Sequence, residues 1–133
     1  MDADERRSRL DQITEKIIGC VHQVSNVLGP GFLEKVYENA LAVELGQTGL
    51  QVAQQHRIEV RYKNVLVGDF VADLLVEGCV IVEIKAVRNV ADEHIAQILG
   101  YLRSARKETG LLVNFGAPRF FIKKFLMTEE LPE

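Results

Sequence analysis

Between Asp4 and Leu28 the apolar residues fall at Leu10, Ile13, Ile17, Val21, Val24 and Leu28, steps of three and four that line one face of a helix. Gly29-Pro30-Gly31 stops that pattern sharply. A second helical stretch follows to about Thr48, with Leu33, Val36, Tyr37, Ala40, Leu41 and Leu45 expected inward and Gly49 as its stop. The period then drops to two. Val52, Gln54, His56, Ile58, Val60 and Tyr62 alternate with their neighbours and predict a strand with one polar side, near a sheet edge. Lys63-Asn64 turns the chain, and Val65 to Val76 returns as a second strand, bent at Gly68. A third strand runs from the turn to Val87. Polar residues Arg88 to His94 lead into a helix from about Asp92 to Lys107, with Ile95, Ile98, Leu99 and Leu102 as its stripe and Gly110 as its end. Leu111 to Phe115 is a short apolar strand, Gly116-Ala117-Pro118 a turn, and Arg119 to about Leu126 the last strand. The tail from Met127 is expected to fray. The order α-α-β-β-β-α-β-β, with strands apolar on both faces, predicts an α/β fold: a mixed sheet flanked by helices.

Three charges interrupt the most apolar part of this pattern. Asp73 lies in the second strand, Glu83 and Lys85 in the third, among Val71, Leu74, Leu75, Val76, Val80, Ile81, Val82, Ile84 and Val87. A buried charge costs several kcal/mol unless it is paired or binds a metal. One ion pair uses two of these groups; two acids and a base fit a metal site with a lysine beside it. Glu83 and Lys85 share a face by alternation. Asp73 joins them only if the connecting turn holds an odd number of residues. A three-residue turn, Val76-Glu77-Gly78, with Gly78 left-handed, meets that requirement, whereas a two-residue Glu77-Gly78 turn sets Asp73 opposite Val82.

Composition narrows the setting. A chain of 133 residues, 47% hydrophobic and 26% charged, fits one domain with a real core, spanning 1–133. No apolar run approaches the ~20 residues of a bilayer span, and the N-terminus has no signal-peptide core. Cys20 and Cys79 resemble neither a disulfide framework nor a thiolate metal site, so a reducing cytoplasm is expected. The net charge of −3 provides no global field for nucleic acid. Local basic clusters exist at Arg6, Arg7 and Arg9, at Arg103, Arg106 and Lys107, and at Arg119, Lys123 and Lys124. Each is either a solvated face or a phosphate contact.

Paired carboxylates on adjacent strands suit a hard divalent cation, Mg²⁺ or Mn²⁺, with the Ile84 carbonyl as a third ligand. Such an ion polarises a phosphoryl oxygen and acidifies water. Lys85 would orient or help deprotonate that water, or offset transition-state charge. The sequence has no P-loop, no defensible Ser-His-Asp order and no Cys/His zinc spacing. Phosphodiester hydrolysis fits best. Glu34, in the first turn of the second helix, either complements the helix dipole or is an acid delivered to the sheet by the Gly-Pro-Gly elbow. Gln97 and Tyr101, four apart on one helix face, either edge the packed stripe or serve the site. His22 and His56 read as structural, and His94 sits in a first turn with its direction open.

Asp73, then Glu83-Ile84-Lys85 on the next strand, after a helix bearing Glu34, resembles the PD-(D/E)XK nuclease superfamily. More narrowly, Gly31-Phe-Leu-Glu34-Lys-Val-Tyr37, Ala72-Asp73, Val82-Glu83-Ile-Lys85 and Leu111-Leu-Val-Asn114-Phe115 together resemble the GxxExxR family of small bacterial proteins. The resemblance implies a restriction-endonuclease-like fold, Asp73 and Glu83 as metal ligands, Lys85 as the catalytic lysine and Glu34 as an additional helix carboxylate. Gln97 and Tyr101 match the Q-x-x-x-Y motif of the RecB-like branch, where these residues shape the site. The family's proline before the aspartate is Ala72 here, and its eponymous arginine is Tyr37.

Two functions follow. The first is a Mg²⁺- or Mn²⁺-dependent nuclease acting on nucleic acid, DNA foremost, in which a homodimer or protein partner supplies substrate grip. The second is a non-catalytic binding or assembly module on the same fold, within a repair or defence complex, consistent with the acidic net charge and small size.

Overall fold

The computed structural model describes residues 1–127; the tail expected to fray lies, from residue 128, outside the described residues. Helix α1 (Ala3–Leu28) opens on Asp2, whose Oδ1 accepts from the Glu5 amide at 2.8 Å, and closes on Gly29 at φ 66°. Its buried face contains Ile13, Ile17, Val21 and Val24, as the periodicity requires. Helix α2 (Glu34–Gln47) buries Tyr37, Leu41 and Leu45. Leu33 and Val36, expected inward, are exposed instead. Leu33 is the extended cap residue before the helix begins, and Val36 lies a 100° step from the Tyr37 stripe. No described helix is long and apolar enough to cross a membrane.

The strands β1 (Val52–Tyr62), β2 (Val65–Val76), β3 (Val80–Lys85), β4 (Thr109–Asn114) and β5 (Phe121–Leu126) form one sheet in the order β1-β2-β3-β4-β5. Only the β3–β4 pair is parallel, and helix α3 (Asp92–Ala105) makes that crossover. The α-α-β-β-β-α-β-β order is the expected one. Several boundaries differ: β3 stops at Lys85 rather than Val87, and β5 starts at Phe121 rather than Arg119. Helix α3 ends at Arg106, left-handed at φ 56°, and Gly110 lies inside β4. A Cβ at Gly110 would stand 3.1 Å from both Ile98 Cδ1 and Leu102 Cδ2, so this glycine lets the strand pass close under α3. The bend in the first hairpin falls where expected, with a register shift between Val60, opposite Gly68, and Arg61, opposite Leu66.

Two layers of side chains cover the sheet. Leu74, Val76, Val80, Val82, Ile84, Leu111 and Val113 pack against α1 and α2. Ile58, Ala72, Leu75 and Ile81 pack against Tyr101 and Leu102 of α3. The β2–β3 turn is three residues long, but shifted one position from expectation. Val76 pairs with Val80, leaving Glu77-Gly78-Cys79 in the loop. Glu77 and Gly78 are both left-handed, at φ 52° and 66°, and the Cys79 amide donates to the Val76 carbonyl at 3.0 Å. The tight turn is therefore the Glu77-Gly78 pair, and Cys79 is the extra residue that makes the count odd. Extending this register sets Asp73 directly across from Glu83.

Candidate metal and active site

The β2–β3 ladder stops at Leu74 opposite Val82. At the next pair the carboxylates replace it. The Asp73 amide donates to Glu83 Oε1 at 3.0 Å, and the Ile84 amide donates to Asp73 Oδ2 at 2.7 Å. Each acid is thus oriented by the strand opposite its own, which fixes two oxygens and leaves one on each residue without a hydrogen bond among the described residues.

The pair carries an electrostatic cost. Glu83 is 3% exposed and Asp73 half-buried, and neither joins an ion pair among the described residues. Burial first, then the Asp73 charge, pushes Glu83 from its usual 4.5 up to about 8, against the pull of the Asp73 amide and Lys85. Asp73 also rises, mainly through burial, with Glu38 and Glu34 adding repulsion. Two neighbouring carboxylates in so buried a setting fit a divalent ion. No three His, Cys, Asp or Glu side chains form a ligand cluster among the described residues.

The other expected residues lie around this pair. Lys85 is half-buried, and its Nζ donates to Gln97 Oε1 at 3.0 Å, so Gln97 reaches the site through the lysine. Tyr101 is 8% exposed and stacks on Phe70 at 4.0 Å. Burial, then Glu83 and Asp73, raises its hydroxyl to about 12, so it stays a neutral donor. Glu34 is exposed at the start of α2, and its charge is felt at both carboxylates. Ile84 buries its side chain in the α1–α2 layer, leaving the backbone as its route to the site. His94 turns to its own helix, Nδ1 accepting from the Ala91 amide at 2.9 Å. His22 edges onto Phe120 at the surface.

Several contributors were given no role at the site from sequence. Tyr37, in the arginine position of the resembling motif, is fully buried; its hydroxyl donates to the Gly29 carbonyl at 2.6 Å and accepts from the Phe32 amide at 3.2 Å. It ties down the elbow that launches Glu34, and its ring stacks on Phe115 at 4.6 Å. Asn114 clamps the exit of β3: Oδ1 accepts from Val87 and Gly116 amides, and Nδ2 donates to the Val87 carbonyl. Glu38, one turn after Glu34, is 3% exposed and accepts from Lys35, Gln54 and Gln55 at 2.7–3.0 Å. Its i, i+4 spacing from Glu34 was the available signal.

Comparison with known proteins agrees with this architecture. The crystal structure of SSO0001 superposes with a TM-score of 0.54 at 20% identity, covering 94% of this chain and 63% of that one. The chain therefore spans under two thirds of that protein, and the likeness is one of fold. No curated protein matches the sequence. The family model for the PD-(D/E)XK nuclease superfamily matches residues 11–125, a span that includes α2, the site strands β2 and β3, and α3. The chain belongs to the PD-(D/E)XK nuclease superfamily.

Proposed function

We propose that this protein is a Mg²⁺- or Mn²⁺-dependent nuclease that hydrolyses phosphodiester bonds in DNA. The observation that carries the reading is the Asp73–Glu83 pair, Glu83 buried and Asp73 half-buried, each acid oriented by the opposite strand's amide and set near Lys85. Asp73, Glu83 and the Ile84 carbonyl would hold the ion, which supplies Lewis acidity and a more acidic water when bound. Lys85, aimed by Gln97, orients the attacking water or offsets charge on the phosphoryl oxygens. Tyr101 supplies a neutral hydroxyl, and Glu34 adds a carboxylate from the start of α2. The Gly31-to-Tyr37, Ala72-Asp73, Val82-to-Lys85 and Leu111-to-Phe115 motifs support the GxxExxR family as its branch within the superfamily. The same reading takes residues 1–133 as one bacterial, cytoplasmic domain, with a second copy or a protein partner adding substrate contacts.

The test is calorimetric titration of Mg²⁺ and Mn²⁺, followed by cleavage assays on duplex, branched and single-stranded DNA and on RNA. Metal binding that disappears in Asp73→Ala and Glu83→Ala, with cleavage lost in Lys85→Ala, is the expected result. Undiminished cleavage by Lys85→Ala would overturn the site assignment. A wild type inert on every substrate, with or without metal, would leave the fold as a binding module.

A further inference from the structure

Five non-glycine residues have left-handed backbone among the described residues. Lys63, Asn64 and Glu77 sit in hairpin turns and Arg106 caps a helix, where this conformation is ordinary. Gln55, at φ 54°, lies in the middle of β1. A side chain disfavours that backbone, and such residues persist only where surrounding contacts hold them. Gln55 falls between the pairs Gln54–Leu74 and His56–Ala72, facing Asp73. The alternation of β2 inverts at the same place. Phe70 and Ala72 pack on the α3 side, whereas Leu74 and Val76 pack on the α1–α2 side. Asp73 is the residue at the inversion, so it lies where both helical layers can approach it.

The side chain of Gln55 provides the restraint. Its Nε2 donates to Glu38 Oε1 at 2.7 Å, while Glu38 Oε2 accepts from Gln54 Nε2 at 2.8 Å and from Lys35 Nζ at 3.0 Å. A 3%-exposed carboxylate on a rigid helix thus holds two consecutive residues of β1. We infer that Gln55 and Glu38 are positioning residues: a strut from α2 that holds the left-handed kink of β1 and so fixes where Asp73 places its carboxylate. The functional consequence rests on the metal-site reading; the geometric consequence does not. Asp73 Oδ2 accepts from the Ile84 amide, so that amide reports the position of the acid.

The test compares Gln55→Ala, Gln55→Gly and Glu38→Gln, first by hydrogen exchange of backbone amides without metal. Alanine removes the strut and is strained in the left-handed region; glycine removes the strut but accepts that backbone freely. The Ile84 amide should exchange roughly tenfold faster in Gln55→Ala and Glu38→Gln, and near the wild-type rate in Gln55→Gly. An ordinary strand residue predicts the reverse order, because glycine weakens strands more than alanine. Glycine exchanging as fast as alanine, or a uniform rise across Ile81, Val82 and Ile84, would overturn the inference. The second readout is Mn²⁺ calorimetry, with affinity expected to fall about 10–100-fold in Gln55→Ala and Glu38→Gln. A wild type that binds no Mn²⁺ would sink the metal-centre reading, while the Ile84 exchange rates would still decide the strut. Gln55 is exposed, so its two variants keep the test usable if Glu38→Gln does not fold.

Discussion

Asp73 and Glu83 hold each other's strands: the amide of Asp73 donates to the carboxylate of Glu83, and the carboxylate of Asp73 accepts from the amide of the residue after Glu83. This crossed arrangement orients both acids while leaving their mutual repulsion uncompensated. Neutral isosteres retain the acceptor oxygens and remove the repulsion. Glu83→Gln and Asp73→Asn should therefore raise stability at pH 8 by about 0.5–2 kcal/mol, a gain of the kind found where function opposes stability. Both should lose Mg²⁺ and Mn²⁺ binding. Thermal melts paired with calorimetry check the two effects together, and a destabilised Glu83→Gln would contradict the electrostatic account.

The same pair sets a pH dependence. Glu83 titrates near 4.5 when unfolded and near 8 when folded, so the native state binds more protons between those values. Stability from this group is fully present below about pH 4.5, declines as pH rises through 8, and is flat above. Asp73 contributes with the same sign. Metal competes with these protons, so Mn²⁺ affinity should increase over the same range. Denaturant midpoints from pH 5 to 9, with and without Mn²⁺, would show a falling curve for the metal-free protein and a flatter or rising one with metal. A metal-free protein that gains stability through this window would refute the shift.

Charge against hydrophobicity is what made the site legible in the sequence. Asp73, Glu83 and Lys85 stand out because their strands are apolar on both faces, and turn parity was enough to bring the acids to one side. The location of the extra turn residue was not legible, since Glu77-Gly78-Cys79 and Val76-Glu77-Gly78 have the same parity and differ only in which hydrogen bond closes. Helix α3 was read too long because Gly110 looks like a stop, whereas its small size serves packing under Ile98 and Leu102. Gln55 had no sequence signal at all. A left-handed glutamine inside a strand is held by a tertiary contact with Glu38, and neither propensity nor period records that.

Gly116 shows how closely the strand carrying Lys85 is fixed. The Phe115 amide donates to the Lys85 carbonyl at 2.9 Å, and a Cβ at Gly116 would lie 2.4 Å from both the Val87 nitrogen and its carbonyl oxygen. Backbone cannot yield as a flexible side chain can. Gly116→Ala should cost about 1–3 kcal/mol or more, as overpacking does. It should also disturb the Val87 and Ala86 amides before those of β1. Hydrogen exchange resolves the order; a variant as stable as wild type would mean that the β3 exit is softer than its contacts indicate.

Lys85 and Gln97 divide one task. The lysine is the only member of the charged set whose donor is turned to a neutral partner, Gln97 Oε1 at 3.0 Å, rather than to either acid. In the proposed mechanism that contact holds Nζ off the carboxylates, which would leave their free oxygens for a cation and the ammonium for the substrate side. Lys85→Ala should abolish cleavage while lowering the melt only slightly, because no ion pair is broken and only the lysine's pull on Glu83 and Asp73 is lost. Gln97→Ala should lower kcat by about tenfold, through a misaimed lysine, while Mn²⁺ affinity changes little. Gln97→Glu should behave differently: it pairs with Lys85 directly, keeping the lysine in place but adding a further negative charge near Asp73 and Glu83. Mn²⁺ affinity should then rise as kcat falls. Parallel single-turnover rates and calorimetry on these three variants separate aim from metal binding, and a Gln97→Ala enzyme with wild-type kcat would remove the glutamine from the site.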